Sequence, residues 1–129
     1  MPDNKTVMIC DDEHDVLATY AAILKIDYSV VTTSSGSQCI ETFIQKRQNG
    51  ERIHVILVDF KLGDMTGEDV ARRIKELNGT RIILISAYDI KDNLINELKS
   101  ENIIVEFMHK PVSFSTLREA VKRVIQKSE

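Results

Sequence analysis

Four apolar runs in this chain stop abruptly at groups that can do chemistry. Residues 5–10 (KTVMIC) end in Asp11 and Asp12, with Glu13 next; residues 53–58 end in Asp59; residues 81–85 end in Ser86; residues 103–107 are followed by Met108, His109, Lys110 and Pro111. Carboxylates from the first and second of these runs, brought together, would repel one another and resist ionisation unless a cation lay among them. A hard divalent ion with oxygen ligands relieves that repulsion, and Mg2+ typically takes one or two carboxylates with water and phosphate oxygens. The Lys110 ammonium and the Ser86 hydroxyl complete a set suited to phosphoryl transfer. There, charge on the phosphoryl oxygens must be neutralised while an oxygen nucleophile lines up for attack. A carboxylate can be that nucleophile, giving an aspartyl phosphate.

Such convergence needs elements that end in one place. The stretch 53–67 (IHVILVDFKLGDMTG) is the organising one: Val55, Ile56, Leu57 and Val58 run without interruption into Asp59, and a glycine-bearing loop follows. Continuous runs with β-branched residues suit parallel strands buried on both faces. Residues 5–10, 28–33, 81–86 and 103–107 read as the other strands. Between them, helical spacing recurs at Val16, Leu17, Tyr20, Ala21 and Leu24; at Ile40, Phe43 and Ile44; at Val70, Ala71, Ile74 and Leu77; at Leu94, Ile95 and Leu98; and at Leu117, Val121, Val124 and Ile125. Ser35, Thr66 and Ser113 offer helix caps, while Asn49-Gly50 and Asn78-Gly79 offer stops. Alternation of about five strands with about five helices predicts an α/β fold, a doubly wound, flavodoxin-like parallel sheet with helices on both faces. In the strand order 2-1-3-4-5 the first and third strands are neighbours, and ligands gather at the carboxyl ends of such strands.

Composition is consistent with this. The chain has 129 residues, enough for one domain, with 43% hydrophobic and 29% charged residues. A net charge of −3 gives no electrostatic footprint for nucleic acid. Cys10 and Cys39 are too few and too widely spaced for a disulfide framework or zinc site, and read as buried thiols. His14, His54 and His109 are scattered and read as surface or strand-edge residues; Met8, Met65 and Met108 read as packing. The first residues lack the apolar run of a signal peptide and no stretch approaches a membrane span, which predicts a cytoplasmic protein without membrane contact.

With DDE after the first strand, a lone Asp ending the third, Ser-Ala after the fourth and Lys-Pro after the fifth, the chain resembles a response-regulator receiver domain of two-component signalling, of the chemotaxis-receiver type. The resemblance spans about residues 5–127, and the whole chain, 1–129, reads as a single receiver domain with no output domain. It implies that Asp59 takes a phosphoryl group from a sensor histidine kinase, a phosphotransfer protein or a small phosphodonor. It further implies that Asp12, Asp59 and the backbone carbonyl of Lys61 hold Mg2+ directly, with Asp11 acting through water. Lys110 would pair with the phosphoryl group across a cis Lys110-Pro111 bond, and Ser86 would move toward it together with a change of rotamer at Phe107. Lys61 and Tyr88 stand where the family tunes phosphoaspartate lifetime. The output would be a downstream protein partner or a phosphorylation-dependent homodimer, not turnover of an external substrate.

Two positions depart from the family's habit. Gly63 replaces the usual proline of the loop after Asp59, and Phe107 lacks the hydroxyl of the commoner tyrosine. Three other functions remain open on the residues. A receiver-shaped scaffold that binds constitutively would be marked by a missing acid, serine or lysine. A phosphatase of the haloacid-dehalogenase type would want a second acid where Lys61 stands. A nucleotide or flavin carrier would want a phosphate-binding loop where DDEHD stands.

Overall fold

The computed structural model describes residues 5–127. The predicted alternation is present throughout: β1 (Thr6–Cys10), α1 (His14–Leu24), β2 (Ser29–Thr33), α2 (Gly36–Gln48), β3 (Val55–Asp59), α3 (Gly67–Glu76), β4 (Arg81–Ser86), α4 (Asp92–Ser100), β5 (Glu106–His109) and α5 (Phe114–Lys127). The strands form one parallel sheet in the order β2-β1-β3-β4-β5.

Strand parity explains why the runs are apolar throughout. Met8, Cys10, Ile56, Val58, Ile82 and Leu84 face α2, α3 and α4. Val7, Ile9, Val55, Leu57, Ile83 and Ile85 face α1 and α5 through Leu17, Leu24, Leu117, Val121 and Val124. A sheet covered on both sides leaves no polar face for its central strands. All five residues of β3 are buried, the acid included.

Helix ends follow local chemistry. Ser35 accepts from the Gln38 N–H to cap α2, and Thr66 forms a reciprocal capping box with Asp69 at α3. The helix α5 is capped by Ser113, whose hydroxyl accepts from the Thr116 N–H at 3.2 Å. After α3 it is Asn78, not Gly79, that takes the left-handed conformation, at φ +52°. Asparagine tolerates that region nearly as well as glycine does.

Some expectations need correction. The last strand begins at Glu106, not at Ile103. Asn102 turns left-handed at φ +60°, and the N–H groups of Ile103 and Ile104 both donate to the Leu98 carbonyl, winding up the end of α4. Both isoleucines are buried without joining the ladder, so their apolarity reports core contact and not strand. In α4 only Leu98 is fully buried; Leu94 and Ile95 are half-buried. Of the two readings given for His54, surface or strand edge, the structure supports the second. It is buried just before β3, and its Nδ1 accepts from the Thr6 N–H at 3.0 Å. Cys10 and Cys39, distant in sequence, are neighbouring free thiols in the core.

Candidate functional site

The site grows out of register. Cys10 pairs with Val58, so the residues that follow them, Asp11 and Asp59, emerge side by side at the carboxyl ends of β1 and β3. They share the parity of Ile9 and Leu57 and therefore point to the same face. Both are buried: Asp11 is 2% and Asp59 6% exposed. The ammonium of Lys110, the residue that follows β5, lies between them; the Lys110–Pro111 peptide is cis. Its Nζ donates to Asp11 Oδ2 at 2.8 Å and lies 3.3 Å from Asp59 Oδ1 and 3.9 Å from Glu13 Oε1.

Electrostatics at this point are unbalanced. Burial and the neighbouring Asp11 charge push the Asp59 carboxyl up to about 6, against the downward pull of Lys110. For Lys110, burial works against the charged form, but the hydrogen bond to Asp11 and the charges of Asp59 and Asp11 outweigh it and raise its pKa. Burial likewise raises the Tyr20 phenol, which stands behind the cluster on α1.

Carboxylate oxygens of Asp11, Asp12 and Glu13 can all lie within 4.8 Å of one another, with Asp12 and Glu13 open to solvent. Both oxygens of Asp11 are engaged, one by Lys110 and the other by the Glu13 N–H at 2.9 Å. Asp12 has no such partner among the described residues. Across from it runs the loop after β3. Phe60 and Leu62 make the backbone bonds that bridge Lys61 to Thr66, through Gly67 N–H to Phe60 O and Leu62 N–H to Met65 O. The carbonyl of Lys61 itself takes no hydrogen bond among the described residues. Asp11, Asp12 and Glu13 offer oxygen atoms gathered within 4.8 Å of one another beside the buried Asp59, and such a hard, acidic donor set fits Mg2+.

Glycine shapes this rim twice. A Cβ at Gly67 would lie 2.5 Å from the Asp59 carbonyl oxygen and 2.8 Å from Leu84 Cδ1, so only glycine lets α3 start directly on the end of β3. Gly63 adopts φ +85°, which proline cannot reach.

The remaining predicted residues are close by but differently engaged. The Ser86 hydroxyl is buried and turned into its own loop, donating to the Tyr88 carbonyl at 3.0 Å and accepting from the Tyr88 N–H at 2.9 Å. Phe107, half-buried, packs on the α2–α4 side of the core and pairs in register with Leu84. Tyr88 is 55% exposed, with the Lys61 Nζ 5.1 Å from its ring centroid and 3.4 Å from its hydroxyl. Asp64 was not singled out by sequence reasoning. It reaches from the loop after β3 to the start of α2, where it accepts from the N–H groups of Gly36 and Ser37 and from the Ser37 hydroxyl. No helix among the described residues is long and apolar enough to cross a membrane.

Comparison with known proteins gives the family and the fold. Residues 7–122 match the family model described as response regulator receiver domain. Sporulation initiation phosphotransferase F of Bacillus subtilis (strain 168) is 25% identical over 95% of this chain and 94% of its own length. The two-component response regulator ORR3 of Oryza sativa subsp. indica is 30% identical over 78% of this chain and 74% of its own. The hydrogenase transcriptional regulatory protein HoxA of Bradyrhizobium diazoefficiens is 26% identical over 94% of this chain, which spans only 24% of that protein. Among solved structures, a CheY-like response regulator receiver domain protein from Methanospirillum hungatei JF-1 superposes with a TM-score of 0.80 at 24% identity, covering 97% of this chain and 96% of that one. The receiver domain of the Francisella response regulator 1452 gives 0.82 at 20% identity, covering 98% of this chain and 100% of that one.

Proposed function

The chain belongs to the response regulator receiver domain family of two-component signalling, and from that premise we propose that it is a phosphoacceptor switch with Asp59 as the residue modified. The observation that carries this reading is the position of Lys110, whose side chain is 11% exposed and lies between Asp11 and Asp59 at the ends of neighbouring strands. An ammonium held there is ready to pair with phosphoryl oxygens arriving at Asp59, and its partner Asp11 keeps it aimed.

An Asp59 carboxylate oxygen attacks phosphorus, forming an acyl phosphate as the bond from phosphorus to the donor breaks and the donor leaves with its electron pair. With a pKa of about 6, the Asp59 carboxyl is mostly ionised near neutrality and so competent as a nucleophile. Asp12, Asp59 and the Lys61 carbonyl would hold Mg2+, with Asp11 acting through water; when bound, the ion supplies positive charge to neutralise the phosphoryl oxygens. Lys110 supplies the remaining charge from the strand side.

Ser86 then leaves its Tyr88 backbone partners to bind the phosphoryl group, and Phe107 turns inward after it. The face altered is α4, β5 and α5, where Phe114 is 59% and Val105 37% exposed. Its occupant is a downstream protein partner or a second copy; the donor is a sensor histidine kinase or phosphotransfer protein. The similar-length sporulation initiation phosphotransferase of Bacillus subtilis supports a role in phosphoryl transfer. The chain acts as one receiver unit in the cytoplasm, through protein contacts rather than by turnover of an outside substrate or by touching DNA.

The test is incubation with acetyl phosphate and Mg2+ followed by intact mass measurement. One phosphoryl adduct is expected on the wild type and none on Asp59→Asn. Equal labelling of the two would end the reading.

A further inference from the structure

The loop between β3 and α3 is tied to a part of the molecule that plays no role in the chemistry described above. Asp64 Oδ1 accepts from the Gly36 N–H at 2.9 Å, and Oδ2 accepts from the Ser37 N–H and the Ser37 hydroxyl, both at 3.0 Å. These are the first residues of α2, so the carboxylate satisfies N–H groups that a helix leaves without partners. A carboxylate is also favoured there by the helix dipole. Ser35 already caps α2 through Gln38, so the helix has its local cap; what Asp64 adds is a link across 27 residues.

That link bears on the loop more than on the helix. On one side of Asp64, Leu62 is anchored in the core at 3% exposure, and on the other Thr66 is fixed by the capping box of α3. Between these anchors Gly63 bends left-handed with its Cα beside Asp12; a Cβ built there would lie 4.0 Å from Asp12 Oδ2. The turn is narrow, closed by the Lys61–Thr66 bridge, and its outer tip is Asp64. The Lys61 carbonyl shares its peptide plane with the Leu62 N–H, which closes the turn on the Met65 carbonyl at 3.3 Å, so a turn released at its tip loosens the bond that aims that carbonyl.

We propose that Asp64 is a positioning residue that latches this turn to α2 and so holds the Lys61 carbonyl in register with Asp12 and Asp59 for a divalent cation. The inference rests on the assignment of those three groups to Mg2+ made above. Groups that orient metal ligands from outside the coordination shell commonly change affinity by about tenfold or more when removed.

Backbone 15N NMR titration with MgCl2 tests this, with amide hydrogen exchange measured on the metal-free protein. In Asp64→Ala the Mg2+ dissociation constant is expected to rise about tenfold. Exchange at Leu62 and Gly67, whose N–H groups close the turn, should quicken without Mg2+. The rate of acetyl phosphate labelling should return to within about twofold of wild type once Mg2+ is saturating, since the ligands themselves are intact. Ser37→Ala, which removes one of the three bonds without changing charge, should weaken Mg2+ in the same direction by a smaller factor. Measuring at about 0.5 M salt separates the latch from the mere loss of a nearby negative charge, because salt screens the second and not the first. An unchanged dissociation constant in Asp64→Ala, or a change that vanishes in salt, overturns the proposal while leaving phosphorylation of Asp59 standing. Conversely, wild type that binds Mg2+ with the expected Asp64 dependence but never takes a phosphoryl group defeats the functional reading and not the latch. Wild type that binds no Mg2+ defeats both.

Discussion

Lys110 Nζ donates to Asp11 Oδ2 at 2.8 Å across 99 residues of sequence, and the same ammonium stands 3.3 Å from Asp59. One part-buried cation thus answers two buried anions, and the cluster keeps an excess of negative charge. Lys110→Ala would leave Asp11 and Asp59 facing each other without it. Removing one partner of a buried pair costs about 3–5 kcal/mol because the other is left uncompensated. Urea denaturation at pH 7 should register a loss of that order, with part of it recovered by added Mg2+. A loss under about 1 kcal/mol, the scale of a surface pair, would mean the lysine is effectively solvated.

Asp59 yields a prediction opposite in sign to that of an ordinary paired acid. Its folded pKa of about 6 lies above the ordinary 3.8, so between those values the folded protein binds more protons than the unfolded chain. Stability from this group is therefore full at low pH and is lost as pH rises through about 6. Replacing the carboxylate by an amide removes the penalty. Asp59→Asn should be more stable than wild type at pH 7.5 by about 2 kcal/mol, and the gap should shrink to about a third of that at pH 4.5 and close only below 3.8. Denaturant midpoints for both proteins at the two pH values check this, and Mg2+ should narrow the gap by favouring the wild type alone. A variant no more stable at pH 7.5 than at pH 4.5 would contradict the raised pKa.

What could be read from the sequence was the set of strand ends, and the reason is physical. A strand covered on both faces must be apolar until it leaves the sheet, so Asp11, Asp59 and Ser86 mark its exits without ambiguity. The meeting of Asp11 with Asp59 then follows from strand order and register. Side-chain reach was not legible. Nothing in the residue types places Lys110 between the two acids, or turns the Ser86 hydroxyl back onto Tyr88. Asp64 looked like any loop acid, because its partners Gly36 and Ser37 are adjacent only after folding. Ile103 and Ile104 misled for a related reason: burial under a helix end and burial in a strand leave the same apolar trace.

Gly67 offers a test of how tightly the site depends on its scaffold. A methyl group there meets the Asp59 carbonyl oxygen, Leu84 and the Phe60 Cα, and backbone cannot step aside as a flexible side chain does. Gly67→Ala should destabilise by about 1–3 kcal/mol, the cost of overpacking, and slow Asp59 labelling even where the protein remains folded. Gly50→Ala is the control. It carries φ +76° with open space around it, so it should pay only the conformational cost of about 1 kcal/mol and leave labelling unchanged. Equal effects of the two substitutions on labelling would remove the special role of the α3 start.

Tyr88 and Lys61, in the loops after β4 and β3, touch each other and act as a pair, not as two independent side chains. The ammonium lies 5.1 Å from the ring centroid and 3.4 Å from the hydroxyl, in a solvent-exposed setting where such contacts are worth about 0.5–1 kcal/mol. Water that hydrolyses an acyl phosphate on Asp59 must approach from outside, since Lys110 and the core occupy the opposite side. Tyr88→Ala and Lys61→Ala should therefore each shorten the lifetime of the phosphorylated protein. The double variant should shorten it by less than the product of the two, with a coupling of about 0.5 kcal/mol or roughly twofold in rate. Dephosphorylation followed by intact mass after removal of the phosphodonor gives all four rates. Strict multiplicativity would show that the ring and the ammonium act separately, and a longer lifetime in either single variant would show that the pair guides water in instead of holding it off.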